Sequence, residues 1–356
     1  MKILKAKGKE MKRNPMVTIS LPCYNHEKYI RESIESVLAQ TYQDFELVII
    51  ENGSTDHCRD IIKEYEDRAT VIYFDVNDQD KASRVFQQET RGKYHAIMTS
   101  DDIWMPDKLE KQVGFLEKHP EYQACFAWAE YGDENMNTLY DNTFMLYKEG
   151  NRTASEWLSL FWKRGNCLCA PSMVMKTQNY LEIFSQNIPY YQLFDLDAWV
   201  KFLLGGNQLY LYPEVLVKMR SHATAISYSG NKMAVVRGQE EMSNIRIEVM
   251  EQISDALFLE TFGDELVRPG CTSHAELTCE KILFLFRYAQ NIEALKVRAL
   301  DFYYRHFPEE DVAETFSEKY FMTKNFFLDL SKDIGTIHTA KKYFLMGRES
   351  AQEDNP

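Results

Sequence analysis

The chain has 356 residues, 45% hydrophobic and 27% charged, the proportions of a folded protein rather than a disordered one. This length holds one large domain with a smaller one, or two of ordinary size. Its net charge of −13 excludes nucleic acid as the main partner, because neutralising phosphates takes concentrated Lys and Arg.

The first 15 residues oppose that balance. Lys2, Lys5, Lys7, Lys9, Lys12 and Arg13 face only Glu10, a basic arm that allows at most peripheral contact with an anionic membrane; a short disordered tail explains it as well. No apolar run approaches a membrane span and no leader segment opens the chain, so a cytoplasmic protein is expected, at most touching the inner face of the membrane. The seven cysteines lack regular spacing and disulfides are not expected; Cys167-x-Cys169 has no second Cys or His pair at zinc spacing, so those two read as small, half-buried strand residues.

From residue 16, short apolar runs alternate with amphipathic stretches. Residues 17–21 read as a strand, residues 22–25 as a turn with Asn25 as helix cap, and Ile30, Ile34, Val37 and Leu38 as one helical face. Residues 45–50 predict a second strand, 52–56 a turn and 61–65 a second helix. A third strand follows at 71–74 and a polar helix at 81–91. Residues 94–98 form a strand that ends in Thr99-Ser100-Asp101-Asp102, and Leu109, Val113 and Leu116 mark another helix. Strand and helix in alternation predict a parallel sheet covered by helices.

Beyond residues 125–128, read as a strand, the pattern loosens. Residues 157–162 predict an aromatic helix and 171–175 a strand. A helix at 195–204 is stopped by Gly205-Gly206, and 208–220 reads as a strand pair broken at Pro213. From 229 strand signals vanish, and 233–259 and 275–307 are helical in composition.

No Gly-x-Gly-x-x-Gly, phosphate loop or nucleophile elbow occurs, which removes the main support for a dehydrogenase, an NTPase or an α/β-hydrolase. Paired carboxylates at the carboxyl end of a strand suit a divalent cation completed by bound phosphate, although a solvated turn uses the same residues.

What is present resembles, piece by piece, the family 2 glycosyltransferases. Ser20-Leu21-Pro22-Cys23-Tyr24-Asn25 with the helix after it looks like the family's opening strand and helix. Glu51-Asn52-Gly53-Ser54-Thr55-Asp56 is similar to its nucleotide-binding turn, and Ser100-Asp101-Asp102-Ile103-Trp104 with Pro106-Asp107-Lys108-Leu109 to its aspartate motif. The likeness is dense over residues 16–120 and thinner to about 228. It implies the inverting GT-A architecture: a mixed, mainly parallel sheet flanked by helices over 16–228, with a nucleotide-sugar and metal half at 16–105 and an acceptor half at 106–228. Beyond the likeness, composition alone reads as a helical domain at 229–348 and a disordered tail at 349–356.

The resemblance also implies roles. Pro22, Tyr24, Asn25, Glu51, Asn52, Ser100 and Asp101 would bind the nucleotide. Asp102 would carry Mn²⁺ or Mg²⁺, with Asp101 and His222 as further metal candidates, and Arg220 and His222 would approach the diphosphate. Matching Phe194-Asp195-Leu196-Asp197-Ala198-Trp199 to the family's acidic motif makes Asp195 the catalytic base, with Asp197 as the alternative; acids in a first helical turn also suit the macrodipole. Gly165-Asn166 and residues 170–175 would border the acceptor. Lys81 and Arg84 read as a solvated helix face. Trp104, Trp128, Trp157 and Trp162 suit either sugar stacking or the core.

The expected donor is a UDP-sugar, less firmly because Asn52 replaces an aspartate. The acceptor would be a saccharide or glycolipid of a bacterial surface polymer, or else a peptide docked on the helical domain, which is also the candidate homodimer surface. Asn52 and Phe194, both departures from the family, leave open a sugar-nucleotide-binding protein of weakened turnover.

Overall fold

The computed structural model describes residues 4–5, 14–140, 145–185, 189–222, 232–290, 292–309 and 311–327. Most of the basic arm and the tail at 349–356 lie outside the described residues. The chain divides into two compact units, one of Met1–Trp157, Asn166–Pro189 and Phe194–Ile226, the other of Leu158–Gly165, Tyr190–Leu193 and Ser227–Pro356.

The first unit is built on strands β1 (Leu4–Lys5), β2 (Val17–Cys23), β3 (Phe45–Asn52), β4 (Thr70–Phe74), β5 (Tyr94–Ile97), β6 (Ile103–Trp104), β7 (Ala124–Gly132), β8 (Val174–Lys176) and β9 (Leu209–Arg220). Among the described residues they form one sheet in the order β1-β4-β3-β2-β5-β8-β7-β9-β6. The block β4-β3-β2-β5 is parallel throughout, and β7 and β9 run with it, whereas β1, β8 and β6 run the other way. Strands β2 and β3 are buried along nearly their whole length, as parallel strands covered on both faces must be, and this accounts for their almost unbroken apolar runs.

The helices of this unit are α1 (Ile30–Leu38), α2 (Cys58–Lys63), α3 (Gln79–Glu89), α4 (Lys108–Lys118), the start of α5 (Ala154–Arg164), α6 (Thr177–Phe184) and α7 (Phe194–Leu204). Helix α1 buries Ile30, Ile34 and Val37, the stripe expected of it. Asp78 caps α3 by accepting from the Lys81 amide at 2.9 Å. Lys81 lies with its ammonium 4.3 Å from the Phe74 ring centroid, while Arg84 is exposed. Trp104, Trp157 and Trp162 are buried, and the half-buried Trp128 donates to the Glu149 carbonyl at 2.8 Å, so packing has claimed these indoles.

Four local expectations change. Asn25 does not cap α1: the helix begins after Tyr29 without a side-chain cap. Residues Ala170–Ser172 form a 3-10 turn ahead of β8 rather than the first half of a strand, and Cys167 and Cys169, buried rather than half-buried, precede that turn outside any strand. Residues 209–220 are one strand, not two. The pairing of β9 with β7 slips between Ala127 and Trp128 and again before Ala129, so a bulge accommodates Pro213, which has no amide hydrogen to give to a ladder.

The second unit is helical: the end of α5, then α8 (Lys232–Gln252), α9 (Asp255–Phe262), α10 (His274–Tyr288), α11 (Glu293–His306) and α12 (Val312–Lys319). Of the two long helical stretches expected here, the first is interrupted because Ser254 starts a new helix, and the second divides into α10, which Ser273 starts, and α11. Each hydroxyl accepts from an amide three residues on, and Ser273 completes a capping box with Glu276. The Trp162 indole anchors an aromatic core with Phe262, Phe284 and Tyr288, and the Arg246 guanidinium covers its other side at 5.3 Å. Among the described residues no helix is long and apolar enough to cross a membrane. All seven cysteines are buried thiols.

Candidate active site

The parallel register sets Cys23 beside Glu51, so the turns leaving β2 and β3 open at the same sheet edge. They are tied together: the Asn25 side-chain carbonyl accepts from the Thr55 amide at 2.8 Å, and the Asn25 amide donates to the Ser54 hydroxyl at 3.1 Å. Asn25 holds φ +55°, a left-handed conformation that asparagine tolerates. Pro22 is half-buried opposite Ile50, whereas Tyr24 and Asn25 are exposed at the rim.

The side chains of Glu51 and Asn52 turn inward instead. The buried Glu51 carboxylate accepts from the Ser54 amide at 2.6 Å and pairs with Arg59 at 2.9 Å. Asn52 donates to the Asn77 side chain at 2.7 Å and accepts from the Asp78 amide at 2.9 Å. Both therefore shape the turn; what they leave facing the edge is backbone. Gly53, at φ +74°, closes the turn where a Cβ would sit 2.5 Å from the Val76 carbonyl carbon.

The two aspartates separate sharply. Asp102, expected to bear the metal, is buried. One of its oxygens accepts from the Arg220 amide at 2.9 Å and the other from the Thr99 hydroxyl, while its carbonyl accepts from Ser33 at 2.7 Å. Burial, and then the neighbouring Asp101 charge, push its carboxyl well above the usual range. It ties the aspartate turn to the end of β9.

Asp101 keeps its carboxylate toward the edge, where His222 Nε2 lies 3.2 Å away. His26 completes the group: the candidate donor atoms of His26, Asp101 and His222 lie within 4.8 Å of one another. The His26 ring is held by the Ser100 hydroxyl 2.7 Å from Nδ1 and stands perpendicular to the His222 ring. Burial lowers the His26 pKa, against the opposing pull of Asp101, which favours the neutral imidazole that binds metals. Two imidazoles and a carboxylate form a donor set that fits a divalent cation. Ser100, expected to touch nucleotide, supports that set from behind.

Arg220 does not point at open space. Its guanidinium donates to the Asp101 carbonyl at 2.9 Å, to the Glu134 carbonyl and to the Glu32 carboxylate at 2.6 Å, and it lies 4.7 Å over the Tyr29 ring. These contacts lock the backbone of Asp101; they leave His222 rather than Arg220 at the edge. Beside His26 opens a pocket lined also by Asn25, Glu27, Lys28, Tyr29, Asp56 and Glu134.

The two acids of α7 also divide. Asp197 is buried and paired with Lys201 one turn on, at 2.7 Å. Asp195 accepts from the Asn166 side chain at 2.6 Å and from the Leu196 amide at 2.7 Å, and burial pushes its carboxyl up to about 6. The Cys169 thiol feels the charges of both Asp102 and Asp195, so the aspartate turn and the head of α7 border one region. A carboxyl raised towards neutrality by burial is the environment that suits a general base.

Sequence reasoning missed His26. Its signal was slight, a single histidine after a turn asparagine, and its meaning came from Ser100 and His222 far along the chain.

The model of the family described as Glycosyl transferase family 2 matches residues 18–179. An uncharacterized glycosyltransferase of Methanocaldococcus jannaschii is 30% identical over 212 residues, 58% of this chain and 71% of its own. The putative teichuronic acid biosynthesis glycosyltransferase TuaG of Bacillus subtilis is 39% identical over 121 residues, 33% of this chain and 47% of its own. Among solved structures, S. aureus TarS 1-349 in complex with UDP-GlcNAc superposes with TM-score 0.56 at 16% identity, covering 93% of this chain and 92% of that one. The mannosyltransferase PcManGT of Pyrobaculum calidifontis, in complex with GDP-Man and Mn²⁺, does so with TM-score 0.50 at 16% identity over 96% and 88%. With its sheet, its order of motifs and its relatives in agreement, this chain belongs to glycosyl transferase family 2 and carries the GT-A fold.

Proposed function

We propose that this glycosyltransferase moves a sugar from a nucleoside-diphosphate donor, a UDP-sugar first, to a hydroxyl of a growing surface polysaccharide or glycolipid, with inversion and with a divalent metal. The observation that carries the metal and donor assignment is the convergence of His26, Asp101 and His222 at the sheet edge where the two nucleotide-type turns open. This reading seats the metal on Asp101 and the two histidines rather than on Asp102. UDP-GlcNAc and GDP-Man in the structural neighbours support a sugar-nucleotide donor, Mn²⁺ in one of them supports the cation, and the teichuronic acid relative supports the class of product.

In this reading the ion supplies positive charge to the leaving diphosphate. The rest is done by the chain. Tyr24 and Asn25 meet the nucleoside at the rim, and the pocket beside His26 continues from there. Asp195, aimed by Asn166, accepts the proton of the acceptor hydroxyl as its oxygen forms a bond to the anomeric carbon and the bond to the diphosphate oxygen breaks. One in-line displacement inverts that carbon, and the acid formed on Asp195 is stable because burial already favours it. Nitrogen in the donor set favours Mn²⁺ over Mg²⁺.

The test is Mn²⁺ binding followed by electron paramagnetic resonance and calorimetry, alone and with UDP-GlcNAc or GDP-mannose. Asp101→Asn and His222→Ala should each weaken Mn²⁺ at least about tenfold, while Asp102→Asn, if folded, should bind it within a few-fold. Retention by Asp101→Asn with loss by Asp102→Asn would return the metal to Asp102.

A further inference from the structure

Helix α8 carries an acid whose partners immediately precede the candidate base along the chain. Glu241 is buried, and its carboxylate accepts three consecutive backbone amides: Tyr191 at 3.0 Å, Gln192 at 2.8 Å and Leu193 at 2.8 Å. These residues belong to no helix or strand, so their N–H groups have no ladder to join and depend on such a partner. Consecutive amides converging on an anion make a charge-assisted clasp.

Two further contacts come from the same helix. The Tyr190 hydroxyl donates to Glu248, and the Arg237 guanidinium lies 5.0 Å over the Tyr191 ring. Positions 237, 241 and 248 share one face of α8, so a single helix face grips residues 190–193. The chain then passes through Phe194 straight to Asp195, in the first turn of α7.

We infer that Glu241 is a positioning residue for transfer: by clasping the amides of residues 191, 192 and 193, it fixes the backbone that runs on along the chain into Asp195. This rests on Asp195 being the base. It gives Glu241 a part in turnover. General-base catalysis depends on the base lying within hydrogen-bond reach of its proton, and small misplacements are costly.

The test compares wild type, Glu241→Ala, Glu241→Gln and Asp195→Asn as full chains. Hydrogen exchange is read over residues 191–195 and over the interior of α7. Turnover of UDP-GlcNAc and GDP-mannose is read as kcat and KM per folded molecule. The alanine variant should expose the amides of 191–193 to exchange while 199–203 stay protected. It should also lower kcat about tenfold or more, with donor KM within about twofold. The glutamine variant, which still offers one accepting oxygen, should recover part of both, and it serves if the alanine variant does not fold. Unchanged exchange at 191–193, or freed amides with wild-type kcat while Asp195→Asn is inactive, would overturn the inference. Wild-type turnover by Asp195→Asn would instead refute the assignment of the base, and exchange would still report whether the clasp exists.

Discussion

Asp195→Asn should separate stability from activity in a way that depends on pH. Burial raises the Asp195 carboxyl from 3.8 to about 6, so keeping it ionised in the folded state costs about 3 kcal/mol. The sign follows from proton counting. Between pH 3.8 and about 6 the unfolded chain has released this proton and the folded chain has kept it, so stability falls as pH rises through that window and is level above it. The amide cannot ionise and escapes the penalty. It does set an NH₂ against that of Asn166, which now donates to Asp195, a loss of about 1 kcal/mol. The variant should therefore be about 1–2 kcal/mol more stable than wild type at about pH 8, with the gain shrinking and reversing on acidification below about pH 5. Turnover should drop on the order of 10³-fold. Chemical denaturation at several pH values, paired with donor turnover, reads both. A variant that keeps a tenth of wild-type turnover, or whose stability difference is flat with pH, would refute the reasoning.

Lys108 is fully buried, its ammonium 4.0 Å from the Trp104 ring centroid with no hydrogen-bond partner among the described residues, and burial pushes it down to about 7. Lys108→Met should stabilise the protein by about 2 kcal/mol near neutrality. The gap should close as pH rises toward 10.5, because the unfolded lysine then loses its extra proton too; a lower melting temperature for this variant would show that the ammonium is needed. Gly53→Ala forces a Cβ to 2.5 Å from Val76 at a positive φ and should cost about 3 kcal/mol. It should also abolish any thermal shift given by UDP with Mn²⁺, and a normal melting temperature would show that the turn relaxes. Wild-type transfer with acid-limited kcat should rise through about pH 6, following Asp195.

The sheet was legible where strands are buried on both faces. β2, β3 and β5 are dense apolar runs bounded by turn residues, and their order with α1 to α4 followed from periodicity. What escaped notice is short or remote. The two-residue β6 has no pattern to detect, and Pro213 looked like a strand break because the bulge that tolerates it exists only against β7. At the site, Asp195 could be preferred over Asp197 from sequence, and the pairing with Lys201 is consistent with that choice. Asp101 and Asp102 are adjacent and chemically identical, so nothing local distinguishes them. The distinction comes from the Arg220 amide, 118 residues away, and from histidines at positions 26 and 222. Arg220 itself looked like an anion ligand because its partners, two of them backbone carbonyls, leave no trace in sequence.

The slip in β9 makes the strand a counting device. Tyr212 pairs with Ala127, but Val215 pairs with Trp128 and Val217 with Ala129, so β9 takes up three more residues than β7 across that stretch. Side chains alternate along a strand, and an odd surplus exchanges the faces of everything downstream. Deleting one residue at the bulge would send Arg220 to the face it now avoids without altering a single site residue, and His222 would be displaced with it. The chemistry at one end of the sheet is thus written partly in the length of a kink seven residues upstream, where an insertion or deletion is a change of function rather than of loop.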